Sequence, residues 1–153
     1  MIFAHTLETT AAAEQVWELW TDVAGWPRWD TALCAARLDG PFVYQAQGRL
    51  QATGSPESRF TVVELEPGRS YTIAVPLLLA ELRVRRALTP MPAGTRYTHE
   101  VSFAGSLEGL FGLLLGRRFR AMLPEVMERL RQLVEQPREA PAAATPVDVA
   151  STP

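Results

Sequence analysis

Residues 106–136, SLEGLFGLLLGRRFRAMLPEVMERLRQLVEQ, decide the fold, because their pattern predicts one long C-terminal helix. The second half of this segment is amphipathic, with charged residues filling the arc opposite an apolar one. On a 3.6-residue wheel the apolar arc consists of Phe119, Met122, Leu123, Val126, Met127, Leu130, Leu133 and Val134. The pattern predicts a helix that is docked along this face, with the rest of the chain wrapped around it.

Glycines continue the same helical face toward the N-terminus, at Gly105, Gly109, Gly112 and Gly116. Each glycine inside a helix costs about 0.5–1 kcal/mol relative to alanine, so the run needs a reason. One explanation is close packing of the helix backbone against another element, which is the usual one. The other is space left open for a ligand, and on that interpretation Gly109, Gly112 and Gly116 are candidate ligand contacts.

The length of 153 residues suits one domain with one core, which we assign to residues 1–136. From residue 137 onward the sequence is rich in proline, alanine and threonine and has little to bury, so 137–153 is expected to be a disordered tail. Cys34 is the only cysteine and no signal sequence is recognisable, which predicts a cytoplasmic protein.

Composition argues against several classes of partner. A net charge of −2 gives no general attraction to nucleic acid, and no apolar run is long enough for stable membrane insertion. The chain has two histidines and one cysteine with no metal-ligand spacing, and it has no phosphate loop or dinucleotide fingerprint. We therefore expect no metal and no cofactor.

The first 105 residues predict a sheet with two short helices near its start. A first strand at 2–8 is followed by a helix at 11–21 and a second helical turn at 22–30. Short runs between turns at 38–41, 52–56, 66–69 and 89–94 then predict six more strands. Seven antiparallel strands and one long apolar helix face define an α+β domain, with the helix against the concave side of the sheet.

Strand register follows from the turns, because residues equidistant from a hairpin centre face each other. The turn at 66–69 pairs Glu64 with Tyr71, and the connection at 76–81 pairs Tyr71 with Arg86. The turn at 89–94 pairs Arg86 with His99. Glu64, Tyr71, Arg86 and His99 are therefore predicted to form one polar row across an apolar concave face.

Several segments together resemble the polyketide cyclase/dehydrase branch of the START-like (SRPBCC) superfamily. They are TLETTAAAEQVWELWTDVAGWPRWD (6–30), VVELEPGRSYT (62–72), AGTRYTHEVSFAGSL (93–107) and the glycine-spaced C-terminal helix. The resemblance spans residues 2–136. It implies a helix-grip fold, in which the curved sheet grips the C-terminal helix and encloses a hydrophobic cavity. Members often carry histidine at the position of Arg86, so the chain departs from the pattern there.

The polar row suits carbonyl chemistry. His99 is a candidate acid/base group, Arg86 a candidate for stabilising an enolate or alkoxide oxygen, and Tyr71 an auxiliary proton donor. Together they fit enolisation, aldol-type ring closure or dehydration of a ketone. The alternative is structural: Glu64 and Arg86 form a buried ion pair, and the other two side chains satisfy the remaining hydrogen bonds.

Three aromatic side chains complete the set of candidate ligand contacts. Tyr44 and Tyr97 point inward by strand alternation, although large aromatic residues in such positions usually belong to the core. Trp29 lies where the short helices meet the sheet, a region that borders the cavity mouth in the resembling family. Glu64 is the remaining candidate for contact with a ligand.

The first half of the long helix is apolar nearly all round, so its outer side chains need a cover. These side chains are Leu110, Phe111, Leu113, Leu114 and Leu115. We consider, in this order, a lid over the cavity mouth formed with residues 77–79, a homodimer interface, and transient membrane contact.

The sequence thus predicts binding of a polyketide-like or lipid-like small molecule between sheet and helix. One hypothesis is a cyclase or dehydratase that needs no metal or nucleotide. Another is a carrier or sensor without chemistry, and a third is a chaperone-type interaction module.

Overall fold

A seven-stranded antiparallel sheet in the order β1-β7-β6-β5-β4-β3-β2 curves around one long helix. The computed structural model describes residues 1–137. The strands are β1 (Ile2–Thr9), β2 (Leu33–Leu38), β3 (Gln47–Ala52), β4 (Ser58–Glu66), β5 (Ser70–Leu77), β6 (Ala80–Met91) and β7 (Gly94–Ala104). Strands that follow each other in sequence are antiparallel neighbours in the sheet, except β1 and β2, which form its two edges. Strand β1 pairs with β7.

The helices follow the predicted layout. Helix α1 (Ala13–Thr21) and a short 3₁₀ helix (Val23–Arg28) connect β1 to β2, and α2 (Glu108–Glu135) follows β7. The α+β helix-grip prediction, with seven strands and a long C-terminal helix, is confirmed. Apart from Pro137, the tail predicted at 137–153 lies outside the described residues.

The second half of α2 supplies the centre of the main core. Val126, Met127 and Leu130 are buried against tryptophans from the short helices and apolar residues of the sheet. A second, smaller cluster forms where β1 and β7 meet the first half of α2, around Phe3, Val101, Phe103 and Leu123. The amphipathic pattern of residues 119–134 therefore corresponds to a docked helix, as predicted.

The glycine face of α2 packs closely against strand β1. A Cβ atom added at Gly112 would lie 3.2 Å from the sulfur of Met1, and one added at Gly116 would overlap the ring of Phe3. Gly109 has open space around it, and Gly105 lies before the helix with a φ of +107°. Close packing is thus the reason for Gly112 and Gly116. Neither they nor Gly109 lines the cavity described below, which corrects the assignment of these three positions to ligand contact.

The predicted register holds across β5, β6 and β7 but fails in β4. Tyr71 faces Arg86 and Arg86 faces His99, as expected. An irregularity at residue 63 shifts the β4–β5 pairing, so Leu65 faces Tyr71 and Glu64 faces Thr72, whose hydroxyl donates to its carboxylate. Glu64 is exposed on the outer face, and the predicted Glu64–Arg86 ion pair is therefore wrong.

A matched pair of glycine variants tests the packing explanation. Gly116→Ala should lower the free energy of unfolding by about 1–3 kcal/mol, because its methyl group collides with the buried Phe3 ring. Gly109→Ala should instead raise it by about 0.5–1 kcal/mol through helix propensity alone. Urea unfolding of both variants measures the two values. Equal stabilisation by both would refute close packing at Gly116.

Candidate functional site

A cavity of about 300 Å³ lies between the concave face of the sheet and α2. Most of its wall is apolar. The sheet contributes Ile73, Val75, Leu77, Leu82, Val84 and Val101, and α2 contributes Leu115, Phe119, Met122, Leu123 and Val126. Exposed wall residues, Ser55, Pro56 and Arg118, mark the mouth of the cavity. The remaining charged or ionisable wall residues, Asp30, Arg86 and His99, are shielded from solvent and form its inner polar end.

Arg86 is the centre of this polar end and is only 2% exposed. Its guanidinium carbon lies 4.8 Å from the ring centroid of Trp26 and 4.7 Å from that of Trp29, so two indole faces stabilise the buried cation. Its Nε donates to His99 Nε2 and its Nη1 donates to the Tyr71 hydroxyl. These contacts fix the guanidinium plane in the wall of the cavity.

His99 is held as a neutral imidazole. Its Nε2 accepts the hydrogen bond from Arg86, which assigns the ring proton to Nδ1. Burial, and then the adjacent Arg86 cation, lower the pKa of His99 well below 6.5. The ring also stacks against Trp20, with centroids 6.3 Å apart. The sequence predicts His99 as an acid/base group. In the structure its Nε2 lone pair, which would accept the proton, instead accepts the hydrogen bond from Arg86.

Tyr71 supports Arg86 from behind the cavity wall. Its hydroxyl accepts from Arg86 and donates to the carbonyl oxygen of Trp20 at 3.2 Å. Burial raises the pKa of Tyr71 above its usual value of 10.0. Because both functions of the hydroxyl are used within the protein and Tyr71 is not part of the wall, its contribution is to position Arg86.

Asp30 is the site residue that the sequence reasoning missed. It directly follows Trp29 after the 3₁₀ helix, and its Oδ2 lies 3.6 Å from Arg86 Nη2, with its side chain 14% exposed. Oδ1 accepts from the Ala32 amide at 3.2 Å. Burial raises the pKa of Asp30 above 3.8, although Arg86 and the Ala32 amide oppose the shift. A buried arginine needs a carboxylate nearby. The aspartate that ends the segment WPRWD (26–30) was therefore a signal from which this partner of Arg86 could have been predicted.

The other predicted contacts lie away from the cavity. Trp29 is fully buried and covers Arg86, while Trp26 rather than Trp29 forms part of the wall. Tyr97 points inward as predicted, but its hydroxyl donates to the Met127 carbonyl at 2.8 Å within the core. Tyr44 is 61% exposed, so its predicted inward direction is wrong. Strand β2 ends at Leu38, and strand alternation therefore does not extend through the loop at 39–46.

Comparison with known proteins agrees with this architecture. Residues 2–135 match the family model described as "Polyketide cyclase / dehydrase and lipid transport". The chain belongs to this family, and the resemblance to START-like proteins is confirmed. The family supports a fold that binds hydrophobic ligands. A comparison with curated protein sequences gave no match.

Solved structures share the fold at low sequence identity. Protein NE0264 from Nitrosomonas europaea is 14% identical with a TM-score of 0.68, over 88% of this chain and 94% of that chain. Ara h 8.0201 is 8% identical with a TM-score of 0.68, over 88% and 97%. DynU16, titled a putative protein in the dynemicin biosynthetic locus, is 19% identical with a TM-score of 0.65, over 88% of this chain and 47% of that chain.

No helix within residues 1–137 is long and apolar enough to cross a membrane. The same part of the chain contains no group of three histidine, cysteine, aspartate or glutamate side chains arranged to hold a metal ion.

The low pKa of His99 predicts a specific acid sensitivity. Below pH 6.5 the unfolded chain binds a proton at residue 99 that the folded chain does not, so the free energy of unfolding falls as the pH falls. The expected slope approaches about 1.4 kcal/mol per pH unit. His99→Gln, whose amide oxygen still accepts from Arg86, should remove this slope in urea unfolding between pH 6.5 and 5.

The carboxyl group of Asp30 changes the free energy of unfolding in the opposite direction. Because the pKa of Asp30 is raised, its folded carboxyl keeps a proton that the unfolded one has lost between pH 3.8 and the folded pKa. This contribution is common to the parent and His99→Gln, so their difference isolates His99. A slope that persists unchanged in His99→Gln would contradict the assignment of this titration to His99.

Proposed function

We propose that the protein binds an amphiphilic small molecule whose apolar body lies along the cavity and whose oxygen-bearing end meets Asp30, Arg86 and His99. The observation that carries the proposal is the composition of the cavity, a largely aliphatic wall of about 300 Å³ with one shielded charged cluster. This volume is at the small end of the range for ligand sites. A polyketide-like or lipid-like molecule with a carbonyl or hydroxyl group fits this description.

The polar end favours a ligand oxygen because its charges are removed from water. Arg86 is covered by two indole rings, and Asp30 faces it at 3.6 Å from within the same cavity. In such surroundings a hydrogen bond or charge contact is stronger than in water. The aliphatic wall provides affinity for the rest of the molecule, and the charged pair fixes its direction.

Filling the cavity should remove binding without unfolding the protein. Val84→Phe enlarges a half-buried wall residue of β6 and should weaken uptake of a hydrophobic fluorescent probe at least about tenfold. The matched control is Val43→Phe, at a position that is 48% exposed in the loop after β2. Fluorescence titration measures both dissociation constants. Unchanged probe affinity in the properly folded Val84→Phe protein would exclude this cavity as the binding site.

A second candidate function is proton transfer at a carbon next to a ketone, and the position of Asp30 favours it. Its carboxylate is in the cavity wall beside a cation, while the lone pair of His99 Nε2 is already occupied by Arg86. Asp30 would remove the carbon-bound proton, and Arg86 would stabilise the electron pair that moves onto the ketone oxygen. Return of the proton from Asp30 to a different carbon would complete an isomerisation. Its transfer to a hydroxyl that leaves the neighbouring carbon would release water and complete a dehydration. In this proposal His99 and Tyr71 position Arg86.

Exchange of α-protons of 2-tetralone for deuterium, followed by NMR, tests this second function. Asp30→Asn should slow protein-dependent exchange about 100-fold, because the amide cannot accept the proton. Glu64→Gln is the matched control, since Glu64 is a carboxylate on the outer face of the sheet. Binding of 2-tetralone without exchange, or equal exchange in Asp30→Asn, would leave the carrier or sensor function as the better one.

A further inference from the structure

Five exposed leucines form one surface, here called the leucine patch: Leu78, Leu79, Leu110, Leu113 and Leu114. Their exposed fractions range from 49% to 75%. Two lie in the connection between β5 and β6, and three lie in the first half of α2. The Leu107 amide donates to the Leu79 carbonyl at 3.3 Å, which joins the two segments. The other two members of the predicted apolar half of α2, Phe111 and Leu115, are partly buried in the smaller core cluster.

The leucine patch borders the mouth of the cavity. Leu77 and Leu115, the sequence neighbours of Leu78 and Leu114, both line the cavity and both pack in the smaller core cluster. Arg118, one helical turn beyond Leu114, is an exposed wall residue. A surface that covered the patch would therefore lie against the opening.

The charge beside the patch is positive. Residues 108–120 contain Glu108 and three arginines, Arg117, Arg118 and Arg120, which gives the segment a net charge of +2, whereas the whole chain carries −2. Arg117 and Arg118 lie four residues after Leu113 and Leu114, on the same side of the helix. Among the described residues none of the three arginines forms an ion pair; Arg120 lies over the Phe3 ring.

We propose that the leucine patch docks on an anionic lipid surface, with the leucines entering the boundary between headgroups and acyl chains. Arg117 and Arg118 would contact lipid phosphates. Apolar side chains beside arginines are the combination that holds a peripheral helix at such a surface. Docking there would allow an apolar ligand to pass between the lipid and the cavity. Only this exchange rests on the proposed function; the docking does not.

The charge decides between this occupant and a second copy of the chain. A two-fold contact through the patch would bring two segments of net charge +2 together. The arginines of both copies would then crowd a desolvated apolar contact with too few carboxylates to balance them. An anionic lipid surface supplies the missing negative charge.

Vesicle flotation of the full chain tests the docking and needs no ligand. The protein should float with vesicles of phosphatidylcholine and phosphatidylglycerol, float less with phosphatidylcholine alone, and be released by salt. Leu113→Ser with Leu114→Ser should lower the partition coefficient at least about tenfold, and Arg117→Gln should lower it about fivefold. The controls are Val43→Ser with Tyr44→Ser, and Arg69→Gln, which are exposed at the opposite end of β5 from the patch.

The outcomes separate the alternatives. Loss of flotation in the patch variants but not in the controls supports the docking, provided that thermal unfolding shows both sets to be folded. Absence of flotation with the anionic vesicles overturns it. Sedimentation velocity that shows a dimer of the parent, abolished by Leu113→Ser with Leu114→Ser, would assign the patch to self-association instead. Probe uptake by the cavity in any of these cases leaves the proposed binding function standing.

Discussion

The burial of the Arg86 guanidinium is the constraint on which the site depends. A cation in the interior is stable only when its charge and its N–H groups are matched, and removing one partner of such an arrangement costs about 3–5 kcal/mol. Here β5 supplies Tyr71, and β7 supplies His99. The 3₁₀ helix and the two residues after it supply the two covering indoles and Asp30. One side chain therefore links the short helices, the sheet and the polar end of the cavity.

The two sides of α2 explain how the same helix both closes the core and leaves a cavity. On one side Gly112 and Gly116 let the backbone approach Met1 and Phe3. On another side Leu115 and Phe119 form part of the cavity wall. Because α2 packs tightly along β1, its other side need not fill the whole concave face of the sheet. The remaining volume is the cavity, which is lined by side chains of the strands and of α2.

Much of this could be predicted from the sequence, and the failures have physical causes. The pairing of Tyr71, Arg86 and His99 followed from hairpin geometry because the intervening turns are short and regular. The apolar positions of β4 change phase at the irregularity, from Phe60 and Val62 to Val63 and Leu65. The prediction continued the even-numbered alternation through it and so placed Glu64 on the wrong face. Asp30 becomes a partner of Arg86 only through the tertiary path of the segment after the short helices. The role of Gly112 and Gly116 likewise depends on the position of β1. The periodicity of α2 does not predict that position.

The central claim is that Arg86 marks the end of the cavity that receives a ligand oxygen. Because the Arg86 Nε–H already donates to His99, a ligand oxygen would meet the Nη–H groups. Protein labelled with ¹⁵N-arginine permits these Nη–H groups to be observed, with their resonances assigned by their loss in Arg86→Lys. Two ligands of nearly the same shape, 2-tetralone and tetralin, differ in one carbonyl oxygen. Both ligands should bind, and only 2-tetralone should strongly shift the Arg86 Nη–H resonances. Equal shifts with both ligands, or binding of 2-tetralone without a change at Arg86, would contradict the claim.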